Sequence, residues 1–291
     1  MEKQEEKIKE PFVFKTPWKL FFWEALFFVL IFVLGIAVAY KIPAPEPISL
    51  RRILLSFLLA TLFLFFITRA GKGKTAPERG IKLKRFVLKA IFVLAVFAGA
   101  SATFSSWLPD TIALILTAIL IFCWFKKSSV LIHNLAMILA IAGIAVFLGL
   151  SLRPETVAVL LMILSVYDFL AVYKTKHMIR IAEEMMSVGA VLALIIPQEI
   201  AGFKANLKEV KPGGKFMILG GGDMAFPLLL CFSLSGRGII HSLIIVSFAL
   251  LGLFVSFRLF VGQQPRRPIP ALPAVALFSL IGFLLLRFFT M

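Results

Sequence analysis

The nine residues LGGGDMAFP, Leu219 to Pro227, sit in an apolar run that otherwise reads as a bilayer crossing, yet they carry three glycines and a carboxylate. An isolated acid at bilayer depth costs a few kcal/mol even on the lenient insertion scale, so its presence marks a functional site by default. What matters next is whether a second acid stands at the same depth.

The surrounding chain supports a membrane setting. Of 291 residues, 60% are hydrophobic, 31 are Phe and only 16% are charged, with a mean hydropathy of +1.00. Apolar stretches of about twenty residues recur, each long enough to cross the roughly 30 Å hydrocarbon layer as a helix. This describes an all-α polytopic membrane protein. Cys123 and Cys231 both lie in apolar runs and offer neither a disulfide framework nor metal-ligand spacing. His133, His177 and His241 are scattered, and no HExxH pattern exists, which argues against a zinc protease. Neither a metal nor any other cofactor is expected. The first 19 residues alternate Glu and Lys with no apolar core or small-residue cleavage site, so the first span is expected to be retained rather than removed with a signal peptide. The net charge of +16 resides in loops beside spans, where it sets orientation and meets anionic head groups rather than nucleic acid.

Apolar runs set against charged or Pro/Gly punctuation predict nine spans: Leu20–Tyr40, Ser49–Thr68, Phe86–Leu108, Thr111–Phe125, Ser129–Leu150, Glu155–Tyr173, Phe216–Ser235, Gly238–Val261 and Ile269–Phe289. The chain then divides into an N-terminal tail (1–19), spans 1 to 6 (20–173), a connection (174–215) and spans 7 to 9 (216–291). Eighteen Lys and Arg follow spans 2, 4, 6 and 8, against five after spans 1, 3, 5 and 7: Lys41, Arg51, Arg52, Arg153 and Arg237. That bias puts the even connections and the N-terminus in the cytoplasm and the C-terminus outside. Within the long connection, Ile179 to Pro197 places Glu183 and Glu184 among apolar residues at helical spacing, predicting an amphipathic helix along the membrane or against the spans. Lys211-Pro-Gly-Gly-Lys215 reads as a turn into span 7.

Among fifteen acidic residues, Glu24, Asp168 and Asp223 fall within spans. Glu24 lies about one turn from the start of span 1, near Lys19, where snorkelling would make it inexpensive. Asp168 is six residues before Lys174, and Asp223 eight residues after Lys215. At 1.5 Å per residue these are roughly 9 and 12 Å from the same face on antiparallel helices, so the two acids can meet. Two carboxylates a few Å apart in a poorly solvated site share one proton. The ionised Asp can then deprotonate a water while the protonated one polarises a scissile carbonyl, without metal or covalent intermediate.

Gly220, Gly221 and Gly222 permit close backbone approach and departure from helical dihedrals, as an extended substrate strand beside Asp223 would require. Small-residue packing of span 7 on span 6 explains them equally when they are taken without the acid. In RRPIPALPAV, Arg266 to Val275, Pro268, Pro270 and Pro273 cannot all occupy a regular helix, so the entrance to span 9 is expected to be extended or kinked.

With VYDFLAVY (Val166 to Tyr173), LGGGD (Leu219 to Asp223) and Pro270-Ala271-Leu272 in order on spans six, seven and nine, the chain resembles the presenilin/signal peptide peptidase family of intramembrane aspartyl proteases, as a prokaryotic, archaeal homologue. The resemblance implies that Asp168 and Asp223 are the catalytic pair. It puts Gly220 and Gly222 at the motif glycines with Gly221 at the variable place, Tyr167 at the motif tyrosine, and Pro270, Ala271 and Leu272 beside the active site. It further implies spans 1 to 6 partly encircling spans 7 to 9, and substrates that are membrane-spanning helices unwound before hydrolysis. The orientation from charge is presenilin-like. The connection of 174–215 is short for a self-processed loop, which favours action without accessory subunits and leaves homo-oligomerisation open.

Three other readings compete. A transporter or ion pathway also uses buried acids, but inverted-repeat symmetry is not evident. A rhomboid-like serine protease would need Ser101 with His133 or His241, and Ser101 lacks the glycine expected after it. Prepilin peptidases share Gly-x-Gly-Asp but not a C-terminal Pro-Ala-Leu.

Overall fold

A computed structural model describes residues 17–290, except 44, 71–77, 176, 211–214 and 264–267. Most of the expected N-terminal tail, the Pro-Gly-Gly of the predicted 211–215 turn, and Arg266 and Arg267 thus lie outside the described residues. The chain forms α1 (Pro17–Ala39), α2 (Leu50–Ala70), α3 (Glu78–Ser105), α4 (Asp110–Lys126), α5 (Val130–Leu150), α6 (Pro154–Phe169), α7 (His177–Ser187), β1 (Ala193–Pro197), β2 (Phe216–Gly220), α8 (Gly221–Ser233), α9 (Ile239–Val261) and α10 (Leu272–Thr290). Six helical stretches are long and apolar enough to cross a membrane: α1, Lys82–Ser105 of α3, α5, α6 with its continuation to Lys174, α9 and α10. The other three expected spans are also helical, as α2, α4 and α8, but α4 has 17 residues and α8 only 13.

The centre of the bundle is α5, which packs against α1, α3 and α8. Small residues let it do so. A Cβ on Gly143 would collide with the backbone of Gly99, and one on Gly99 with Ala140, so α3 and α5 approach at backbone distance. Thr103 Oγ1 then donates across the seam to Leu139 O at 2.9 Å. In lipid, where apolar surface gains nothing by leaving its surroundings, such packing and cross-helix bonds hold helices together. The same device joins α9 to α10, where a Cβ on Gly252 would stand 2.6 Å from Val275 Cα. Between α8 and α9 the chain reverses at Gly238, whose φ of 116° suits glycine, and Ser242 Oγ donates back to Cys231 O at 2.7 Å.

Two expectations need correction. The amphipathic segment is helical only over α7, whose Glu184 pairs with Lys84 of α3 at 2.8 Å. It stops at Gly189 (φ 71°), where Gly189 N–H donates to Met186 O and Ala190 N–H to Met185 O, the Schellman arrangement. The residues expected to continue that helix instead form β1, buried throughout. Likewise Phe216–Gly220, expected as the first turn and a half of span 7, is strand β2. It pairs antiparallel with β1 in the register Ala193↔Gly220, Ile195↔Ile218, Pro197↔Phe216. The helix of span 7 therefore begins at Gly221 and is only about 20 Å long. The kinked entrance to span 9 is found as expected: Pro268 to Ala271 is irregular and α10 starts at Leu272. Pro273 falls in its first turn, where a missing N–H is harmless.

Candidate active site

The hairpin explains how Asp223 is placed. Gln198 N–H donates to Lys215 O and Gly221 N–H to Leu192 O, so even-numbered residues of β1 form the hydrogen-bonded pairs and the odd ones turn their backbone groups outward. On the β1 side three of these groups are engaged by α5. His133 Nε2 meets Ala193 O at 3.0 Å, and Asn134 clasps Ile195, accepting from its N–H at 2.9 Å and donating to its carbonyl at 2.7 Å. Pro197 has no N–H to offer. On the other side β2 has no third strand among the described residues, and its outward backbone belongs to Phe216, Ile218 and Gly220. The last of these amides acts on the carboxylate of Asp223, and a Cβ on Gly220 would stand 2.9 Å from Asp223 Oδ2. The glycine therefore serves as a close approach for the acid three residues ahead of it.

Asp223 occupies the first turn of α8, where unpaired helix amides favour a carboxylate. Four residues on, Pro227 lacks the amide that would bond the Asp223 carbonyl. Asp168 comes at the opposite kind of boundary, in the last turn of α6, just before the helix widens into a π turn over Leu170–Lys174. Such turns are frequent at functional sites. Asp168 is 5% exposed, and its Oδ2 is enclosed without a hydrogen-bond partner among the described residues.

The structure brings the two acids together. The charge of Asp168 acts on Asp223, and both carboxylates reach the backbone amide of Leu272. That amide is the first of α10, one of the donors a helix N-terminus leaves unused. Pro-Ala-Leu thus meets the aspartates through backbone, with Ala271 and Leu272 buried and Pro270 partly so. Gly221 lies against Met137 and Leu192, and Gly222 against Phe226. Tyr167 turns toward α2, bonded to Thr61 and edge-on to Phe57 at 5.4 Å.

Sequence reasoning missed one acid. Glu24, expected to snorkel, is 2% exposed, and the charge of Asp223 acts on it. Its seven-residue distance from the start of α1, about 10 Å, matches the depth that spacing gives the two aspartates and is the signal the sequence holds. The serine-protease candidates do not assemble. Ser101 bonds Ala98 of its own helix, while His133 is stacked on Phe92 and engaged with β1. Among the described residues no group of three His, Cys, Asp or Glu side chains is arranged to hold a metal ion.

A family model described as signal-peptide peptidase, presenilin aspartyl protease matches residues 25–290. Two solved structures of a presenilin family intramembrane aspartate protease share the fold. The one in space group C222 is 24% identical with a TM-score of 0.60, covering 92% of this chain and 97% of that one. The one in space group P2 is 24% identical with a TM-score of 0.53, covering 90% and 96%. Among curated proteins none matches significantly.

Proposed function

The chain belongs to the signal-peptide peptidase and presenilin family of intramembrane aspartyl proteases, and on that premise we propose that Asp168 and Asp223 are its catalytic pair. Family membership sets aside the transport reading and makes membrane-embedded helices the substrate class. The observation that carries the assignment is that α6, α8 and α10 pack on one another and bring the two carboxylates near each other and near the amide of Leu272. Groups gathered around one donor are within reach of one water.

The chemistry follows from a shared proton. The ionised aspartate removes a proton from water as its oxygen attacks the scissile carbonyl carbon, and the protonated aspartate delivers its proton to the carbonyl oxygen. In the tetrahedral diol the roles reverse. One aspartate returns a proton to the departing nitrogen, the other takes one from a hydroxyl, the C–N bond breaks, and the pair recovers its single proton.

The substrate's path follows from the hairpin. A helix buries its own amides, so the scissile segment must be extended, and an extended segment needs a partner for its backbone in lipid. The open edge of β2 provides one and runs directly to Asp223. Gly220, Gly221 and Gly222 keep the track clear, Pro270, Ala271 and Leu272 close the site from α10, and Tyr167 braces α6 against α2. In the membrane we place nine spans, counting α2, α4 and the short α8, with spans 1 to 6 partly encircling spans 7 to 9. The N-terminus is cytoplasmic and the C-terminus outside, in a prokaryotic cell membrane, and the protein acts without accessory subunits.

The test is hydrolysis of transmembrane peptides by the purified protein in detergent, beside Asp168→Asn and Asp223→Asn. Fragments from the wild type alone are expected. Substantial turnover by either variant would remove the pair from the mechanism.

A further inference from the structure

We propose that Glu24 is a positioning residue for the dyad: a carboxylic acid on α1 whose O–H is directed at the Asp223 carboxylate and supports it when Asp223 acts as base. The proposal deepens the aspartyl protease reading and rests on it.

Three observations carry it. Glu24 lies on the buried face of α1 with Leu20, Phe27, Phe28 and Ile31, and α1 packs directly on α8 and α5. Its Oε2 is enclosed and has no hydrogen-bond partner among the described residues. An orphaned polar atom at such burial needs a function or a partner. Finally, the charge of Asp223 acts on it. The elements packed on α1 also bring His133 and Asn134 from α5, both engaged with β1. From α9 comes Arg258, which stands over the Trp18 ring at 5.6 Å, and from α3 comes Lys84, paired with Glu184.

The enclosed Oε2 meets no donor among the described residues, and an acid so buried is far less costly neutral than charged. A neutral acid also suits the mechanism. The dyad works with one proton between two carboxylates, and a second negative charge at Glu24 would drive a further proton onto the pair and remove the base. As a donor, Glu24 instead adds a third hydrogen bond to the Asp223 carboxylate, beside those of the Gly220 and Leu272 amides. Among the described residues Asp168 has that of Leu272 alone.

The experiment compares Glu24→Leu, Glu24→Gln and Asp223→Asn in the full chain. Glu24→Leu removes the donor, and it should lower kcat about 10- to 100-fold with little change in KM and move the acid limb of the pH–rate profile up by roughly one to two pH units. Glu24→Gln keeps a weaker N–H donor and should lose only about two- to fivefold. Loss of packing alone would lower the thermal midpoint without moving the limb. An unmoved limb in Glu24→Leu, or a loss in Glu24→Gln as deep as in Glu24→Leu, overturns the proposal. Should Glu24→Leu not fold, Glu24→Gln decides it through an infrared readout. The carboxylic-acid C=O band that Glu24→Gln deletes should be present in the wild type and shifted in Asp223→Asn. A missing or unshifted band overturns the coupling. Because this readout does not require peptide cleavage, it separates failure of the Glu24 proposal from failure of the protease reading.

Discussion

The end of α6 and the start of α8 each present one aspartate of the proposed pair, and they do so by opposite means. Asp168 is carried by a continuous helix that loosens into a π turn only after the acid has been placed. Asp223 follows a strand, a run of glycines and a fresh helix start, and Pro227 interrupts the helix bonding one turn later. A side chain held by a helix inherits its position from local geometry. One that follows a strand depends on whatever fixes that strand, which here includes His133 and Asn134, 60 and 61 residues before the β1 residues they hold. Perturbing the hairpin should therefore reach Asp223 and spare Asp168.

The largest effect tests what the two regions share. Asp168→Asn and Asp223→Asn should each lower peptide cleavage by at least about 10⁴-fold, the upper range for general acid–base groups, with thermal midpoints near wild type. Unequal residual rates would break the symmetry of the proton exchange. The shared proton also demands a bell-shaped pH–rate profile, falling in acid as both carboxyls protonate and in alkali as both ionise; a plateau reaching into strong alkali would count against it. Next, Gly220→Ala puts a methyl against the Asp223 carboxylate and should reduce kcat roughly 10- to 100-fold, the scale of a 1 Å misplacement, with little loss of stability. Asn134→Ala leaves two buried backbone groups of Ile195 unmet and should destabilise by roughly 2–5 kcal/mol in chemical denaturation, with residual activity lost through Asp223. Smallest, Ser242→Ala removes one bond at the far end of α8 and should cost about 1 kcal/mol without altering the pH profile.

Most of the helical framework was legible because lipid imposes long apolar runs and the charged loops punctuate them. The two aspartates were legible for the same reason, since an acid in such a run has no cheap explanation. The hairpin was not. Leu194, Ile195 and Ile196 sit in a run whose spacing suits a helix as well as a strand, and short apolar segments do not distinguish the two. Gly189 was the missed stop signal, a glycine directly after an amphipathic helix. The burial of Glu24 is not legible locally, because α5 and α8, which pack on α1, lie far along the chain. The part played by Leu272 was out of reach, because it uses an amide that every residue except proline possesses.

The clasp of Asn134 on Ile195 gives the little sheet a welded side and a growing side. A ribbon with two free margins inside a lipid slab would be a seed for stacking one chain upon another. Among the described residues extension is open in a single direction and ends at the acid, so on the proposed function the molecule admits one guest at a time.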